Sequence, residues 1–341
     1  MPSGVLDDLS HLMSRASFAA GETVFRQGEP GDRMIVLEAG RLETELAVPG
    51  REPLRLSSVE PGQVVGELSL LGDGVRTATV HATAPSTGWT LERTAFDVLR
   101  NDVQRAASVV ARALGLLAVE RLNRLHRRWA DQVTGEPTPA DLQDEASASP
   151  ADPHDEAFLA ETLFFQDFNP DELAAVTAGL RCAEVARGTV LVPRGERPAA
   201  LWIVARGAVE TTVRGADTAR PLRLAGPGRA IGHVGLLDQA PVVERIESRA
   251  RERAVLLVVP WPRVWELLNA EDRASRRFAA ALWTDTVRAL QHGERPLARL
   301  TATGGDPADL TAPQPAGFGR ARGAPTGPAQ VGAPSRARTG C

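Results

Sequence analysis

The chain of 341 residues contains no lysine and no tyrosine, so all 39 of its basic residues are arginine. That bias reflects GC-rich coding rather than selection for a site, and it weakens any argument from an arginine cluster. Only two cysteines occur, Cys182 and Cys341. They exclude a disulfide framework and a metal-ligand spacing, and they fit a reducing compartment. Long apolar runs are absent too: the longest, 254–261 and 114–119, are far short of the roughly 20 residues that span a bilayer. The start, Met1-Pro2-Ser3-Gly4 with Asp7 and Asp8, lacks the basic stretch and apolar run of a secretory signal. The expectation is a cytoplasmic protein without a membrane partner. A net charge of −4 gives no general attraction to nucleic acid. Catalytic signatures are also missing. There is no nucleophile elbow, no Gly-Lys-Ser/Thr phosphate loop and no catalytic pair of carboxylates, so the chain is expected not to be an enzyme.

What the sequence does contain is a duplication. Gly21, Gly28 and Gly40 recur as Gly188, Gly195 and Gly207 at one constant offset. Further along, Pro61-Gly62 recurs as Pro227-Gly228 and Gly66 as Gly232, with one residue fewer between the blocks, as a loop deletion would leave. The residues around Gly40 and Gly207 agree as well: Met34-Ile35-Val36-Leu37 precedes the first and Leu201-Trp202-Ile203-Val204 the second.

Within the first copy, short β-branched segments at 23–26, 34–37, 42–48, 54–59, 77–82 and 87–92 are punctuated by glycine, an all-β pattern. Apolar residues then recur at helical spacing through Val103, Ala106, Val110, Leu114, Leu117, Leu125 and Trp129, which predicts one long amphipathic helix over about 94–130. The second copy repeats this with Trp265, Leu268, Phe278, Ala281, Leu282 and Leu290. Between the copies, 131–157 holds eight carboxylates and no arginine, a composition that cannot bury enough apolar surface to fold. The expected organisation is a first domain at 1–130, an acidic disordered linker at 131–157, a second domain at 158–295, and a disordered Pro/Gly/Ala/Arg tail at 296–341.

The stretch with chemical content runs from Gly66-Glu67-Leu68-Ser69 to Arg76-Thr77-Ala78. Arg76 offers a planar fork suited to phosphate oxygens, and Glu67, nine positions earlier, can accept from a hydroxyl. A helical turn starting near Glu67 would turn the N–H groups of Leu68 and Ser69 toward an anion, and Gly66 would allow close approach. This segment resembles the phosphate-binding cassette of cyclic-nucleotide-binding domains, the module shared by the catabolite activator protein, protein kinase A regulatory subunits and nucleotide-gated channels. The glycines at 21, 28 and 40 match the turns of that family's β-roll, over roughly 15–130 and again 160–290.

The resemblance implies a mainly β fold with flanking α: two cyclic-nucleotide-binding β-rolls of double-stranded β-helix, jelly-roll-like form, each followed by a long helix. It implies a ligand, cAMP or cGMP, held by Gly66, Glu67, Leu68, Ser69, Arg76, Thr77 and Ala78, with no further cofactor, and a signal passed by repositioning the following helix. Trp89 and Trp129 are candidate reporters of the base. In the second copy His233 stands for Glu67 and Val242 for Arg76, so no cyclic nucleotide is expected there, and His233 reads as a partly buried polar residue. The arginines from Arg121 to Arg128 read as cations complementing a helix C-terminus, with a weak contact to the acidic linker. The implied partners are a cyclic nucleotide and either a second copy or another protein. Alternatives are a catabolite-activator-type transcriptional regulator, for which no helix-turn-helix is visible, and a ligand-free regulatory subunit.

Overall fold

The computed structural model describes residues 11–47, 52–101, 105–131, 148–150, 156–214, 219–238, 240 and 243–301, and the structural statements below concern these. The first copy folds as β1 (Met13–Phe18), β2 (Thr23–Phe25), β3 (Arg33–Ala39), β4 (Leu42–Leu46), β5 (Leu54–Val59), β6 (Val64–Val65), a helical turn α1 (Glu67–Leu71), β7 (Thr79–Ala82) and β8 (Ser86–Glu92). Its strands form two four-stranded sheets, ordered β1-β8-β3-β6 and β2-β7-β4-β5, with antiparallel pairing throughout. Alternation decides which face turns inward. In β4, Leu42, Thr44 and Leu46 are buried while Glu43 and Glu45 are only partly covered. The inward residues of both sheets, among them Phe25, Ile35, Leu37, Leu42, Val65 and Val80, form one core between them.

Sharp reversals between strands require glycine. Gly40 has φ 92°, and a Cβ there would lie 2.5 Å from the Pro85 carbonyl oxygen; its counterpart Gly207, at φ 77°, would meet the Arg253 oxygen at the same distance. The spacing of 21, 28 and 40 in the sequence is the spacing of these turns.

The roll is followed by α2 (Arg93–Asn101) and α3 (Arg105–Asp131), which lie along the stretch where the periodicity predicts a helix; residues 102–104, Val103 among them, lie outside the described residues. The expected strands lie within a few residues of their observed bounds, whereas β1 and β6 have no counterpart in the sequence reading.

Residues 132–147 and 151–155 of the expected linker, and 302–341 of the expected tail, lie outside the described residues. The reading of 131–157 as unstructured needs correction at β9 (Ala148–Pro150), which adds an edge to the second roll by pairing with β10. Three residues with no carboxylate among them can complete a sheet edge that composition averaged over the whole segment hides. The tail boundary shifts as well, because the last helix continues to Thr301.

The second copy continues with α4 (Glu156–Ala160), α5 (Pro170–Thr177), β10 (Arg181–Val185), β11 (Val190–Val192), β12 (Ala200–Arg206), β13 (Val209–Arg214), β14 (Ala219–Ala225), β15 (Ala230–Ile231), α6 (His233–Leu237), β16 (Ile246–Ala250), β17 (Ala254–Pro260), α7 (Trp261–Asn269) and α8 (Arg273–Thr301). Helix α5 starts on a capping box: the Asn169 side chain accepts from the Glu172 N–H at 2.8 Å, and Glu172 accepts from the Asn169 N–H at 3.1 Å.

The two copies are joined through their long helices. Helix α3 packs along α8, where Gly115 meets the indole of Trp283 and Trp129 donates from Nε1 to the Gly293 oxygen at 3.3 Å. Thr284 donates to the Leu71 oxygen at 2.9 Å, so α8 also touches the cassette turn of the first roll. Leu70, Phe96, Leu114 and Leu122 from the first copy share one apolar cluster with Phe278, Leu282, Trp283 and Val287 from the second. Each such fully buried side chain contributes about 1.5–3 kcal/mol, so the seam behaves as core.

Candidate functional site

The cassette forms where β6 ends. Gly66, at φ 86°, turns the chain out of the sheet into α1, and a Cβ there would lie 2.7 Å from both Arg76 Nη1 and Phe25 Cε2. The glycine is required twice, by its backbone angle and by the guanidinium beside it. Gly66, Leu68, Ser69, Arg76, Thr77 and Ala78 all line one open cavity, with Thr44, Leu54 and Ser57 of the β4-β5 hairpin opposite. The cavity opens to solvent, and its enclosed part measures about 100 Å³.

Arg76 is 4 % exposed. Its Nη1 donates to the Arg33 oxygen at 2.7 Å and to Ser69 Oγ at 3.0 Å; its Nη2 donates to Asp32 Oδ1 at 2.9 Å. The guanidinium carbon lies 3.5 Å from the Phe25 ring centroid, so one face is covered by π density. Burial draws its pKa down and the Asp32 carboxylate opposes that. Asp32 is itself well exposed, so its pull is screened by water. Arg93 braces the turn by donating to the carbonyl oxygens of Gly31, at 2.9 Å, and Ser69.

Glu67 stands apart from the other expected site residues. It is 0 % exposed and does not line the cavity, because Arg121 of α3 lies over it. Arg121 pairs with Glu67 Oε1 and donates to the Val64 oxygen at 3.1 Å. Glu67 Oε2 has no hydrogen-bond partner among the described residues. Burial raises the carboxyl pKa, against the pull of the Arg121 charge.

The sequence reading of the arginine run therefore needs correction. Arg121, Arg124 and Arg128 line the cavity, and Arg121 binds the cassette. The bias against lysine hid this signal, since arginine carried no extra weight. Phe25 and Asp32 were missed too, as neither lies in the cassette and only the folded roll brings them to Arg76. The tryptophans are also displaced from their expected role. Trp89 lies on β8 under the Arg15 guanidinium, 4.9 Å from centroid to carbon, and Trp129 faces the second copy; neither lines the cavity.

In the second copy, Gly232 keeps the turn at φ 88° and His233 takes the place of Glu67. The expectation that His233 is partly buried is corrected: it is 1 % exposed and neither ring nitrogen has a partner among the described residues. Burial pushes its pKa down to about 4 while the Asp285 carboxylate opposes this, so the ring is neutral at pH 7. Asp285 itself is held by Arg223 at 2.7 Å, Arg229 at 3.1 Å and the Ala230 N–H at 2.9 Å. Val242 lies outside the described residues, and Arg245 does not line the second cavity.

The cyclic nucleotide-binding domain family matches the chain at 15–116 and again at 182–271, more than half of its length, and the chain belongs to that family. It carries two such domains in tandem, each a β-roll with flanking helices. Among similar proteins, acetyltransferase Pat of Mycolicibacterium smegmatis is 42 % identical over 94 residues, covering 28 % of this chain and 28 % of Pat. A cAMP-dependent protein kinase regulatory subunit of Blastocladiella emersonii is 24 % identical over 254 residues, covering 73 % of this chain and 51 % of the relative. Among solved structures, the regulatory domain of Toxoplasma gondii PKA with cAMP aligns with 18 % identity and a TM-score of 0.30, covering 80 % of this chain and 87 % of that one. The chain thus matches 28 % and 51 % of the length of these two curated relatives. Among the described residues, no helix is long and apolar enough to cross a membrane.

Proposed function

We propose that the first roll binds a 3′,5′-cyclic mononucleotide, cAMP or cGMP, and that the chain is a non-catalytic, cytoplasmic regulatory protein acting on a protein partner or as a homodimer. The domain limits proposed with this reading are 1–130 and, with β9 and the whole of α8 included, 148–301. The observation that carries it is the convergence of Gly66, Ser69, Arg76 and Thr77 on one cavity, with Arg76 clamped at its edge. A guanidinium fixed before the ligand arrives loses little rotamer freedom on capturing a phosphate. Glu67, now buried under Arg121, is the acceptor for a ribose hydroxyl once that arginine moves aside. In the second roll His233 and Val242 stand at these two positions.

Calorimetry with cAMP and cGMP on the wild type and on Arg76→Ala tests the reading. One site per chain is expected, weakened about 10- to 100-fold by the substitution, the equivalent of one or two charge-assisted hydrogen bonds. Two sites of equal strength, or a variant that binds as well as the wild type, would refute it.

A further inference from the structure

Helix α3 is a shared wall. Arg121, Arg124 and Arg128 line the cavity of the first roll, while Leu122, His126 and Trp129 line the corresponding cavity of the second; Leu125 reaches both. The side chains alternate between the two cavities as the helix turns, so α3 cannot shift against one roll without shifting against the other.

The second roll is shaped to receive it. One offset, 168, relates β8 (86–92) to β17 (254–260) and Arg93 to Trp261, the first residues of α2 and α7; carried on into α3 and α8 it sets Ala289 at the place of Arg121 and Gly293 at the place of Leu125. Both small residues line the second cavity. A Cβ at Gly293 would lie 2.7 Å from Leu125 Cδ2, and Trp129 hydrogen-bonds the Gly293 oxygen. Asn123 donates to Asp238, just beyond the second cassette turn. The cavity that lost its charged contacts is occupied on one side by the helix of its neighbour.

We propose that the second roll has become a receptor for α3, and that this docking holds Arg121 over Glu67 and so restrains ligand capture by the first roll. The inference rests on the cyclic-nucleotide reading of that site. For the Glu67 carboxylate to accept from a ligand hydroxyl, Arg121 must swing away, and its backbone is fixed by Leu125 and Trp129 in the second roll. The binding-competent form is then a minor population in the free protein, and the apparent dissociation constant is raised by the inverse of that fraction.

Two full-length variants test this. Gly293→Leu fills the space taken by Leu125 and favours the helix that carries it; Trp129→Ala removes the anchor without adding bulk. Both are expected to bind cAMP or cGMP at the first site about tenfold or more tightly than the wild type, with faster amide hydrogen exchange along 119–129 before ligand is added. Unchanged or weaker affinity in a chain whose wild type binds overturns the coupling and leaves the ligand reading intact. Unchanged exchange in both variants overturns the docking itself. No cyclic nucleotide bound by wild type or variants sinks the ligand reading, and the restraint with it.

Discussion

Alanine at Gly66, set beside alanine at Gly62, separates backbone strain from the fit around Arg76. Both glycines have φ 86°, but a Cβ at Gly62 would meet nothing within 4 Å, whereas at Gly66 it would press on Arg76 Nη1, on Phe25 and, at 3.0 Å, on the Arg33 oxygen. The left-handed backbone costs a non-glycine residue about 1–2 kcal/mol, and the smaller entropy of an unfolded alanine returns about 0.4–1 kcal/mol. Gly62→Ala should therefore lower stability by only about 1 kcal/mol. At Gly66 the overpacking adds about 1–3 kcal/mol, since Phe25 and the β3 backbone are core. The total is about 2–4 kcal/mol. The same contact pushes the guanidinium from its places on the Arg33 oxygen and Ser69, and losing one such charge-assisted bond to a ligand weakens affinity roughly tenfold or more. Urea midpoints measure the first quantity and calorimetry with cAMP the second. Equal destabilisation by the two alanines, or wild-type affinity in Gly66→Ala, would show that Arg76 is not held against this glycine.

Other expectations concern the second copy. His233 binds a proton near pH 6.5 when unfolded but only near 4 when folded, so its contribution to stability is complete above 6.5 and is lost as pH falls toward 4, on the order of 3 kcal/mol in all. His126, held down to about 3 by burial and then by the His233 charge, acts in the same direction. Urea midpoints taken from pH 7 to 4.5 should fall less steeply in His233→Asn, and an unaltered slope would remove His233 from this account. Asn169→Ala opens the capping box of α5 and should lower stability by about 1 kcal/mol, read from the same midpoints; no loss would mean that the cap is redundant with Pro170.

The rolls were legible in the sequence because their turns require left-handed backbone, which leaves glycines at fixed positions. Gly66 and Gly232, at nearly equal φ, show that this signal survives when the residue that follows changes from Glu67 to His233. Strands β1 and β6 were illegible for different reasons: β6 spans only Val64 and Val65, too short for alternation, and β1 shows mixed burial along Met13–Phe18. Within the site, the cassette residues could be read because they are contiguous. Arg121, Phe25 and Asp32 reach it through tertiary contacts, and local pattern carries no trace of which arginine on a helix will meet a buried carboxylate.

Two of the differences between the copies form a matched pair. Glu67 becomes His233, and Arg121 becomes Ala289 on the equivalent helix. Either change alone would leave a buried charge without its partner, which costs about 3–5 kcal/mol; together they remove the ion pair at far smaller cost. Ala289 and Gly293 are small, and side chains of α3 lie against this wall, Leu125 beside Gly293 and Trp129 on its carbonyl oxygen. Loss of a binding site and gain of an inter-domain seam are on this view one event, because the surface that captures a ligand and the surface that captures a neighbouring helix are built from the same few positions.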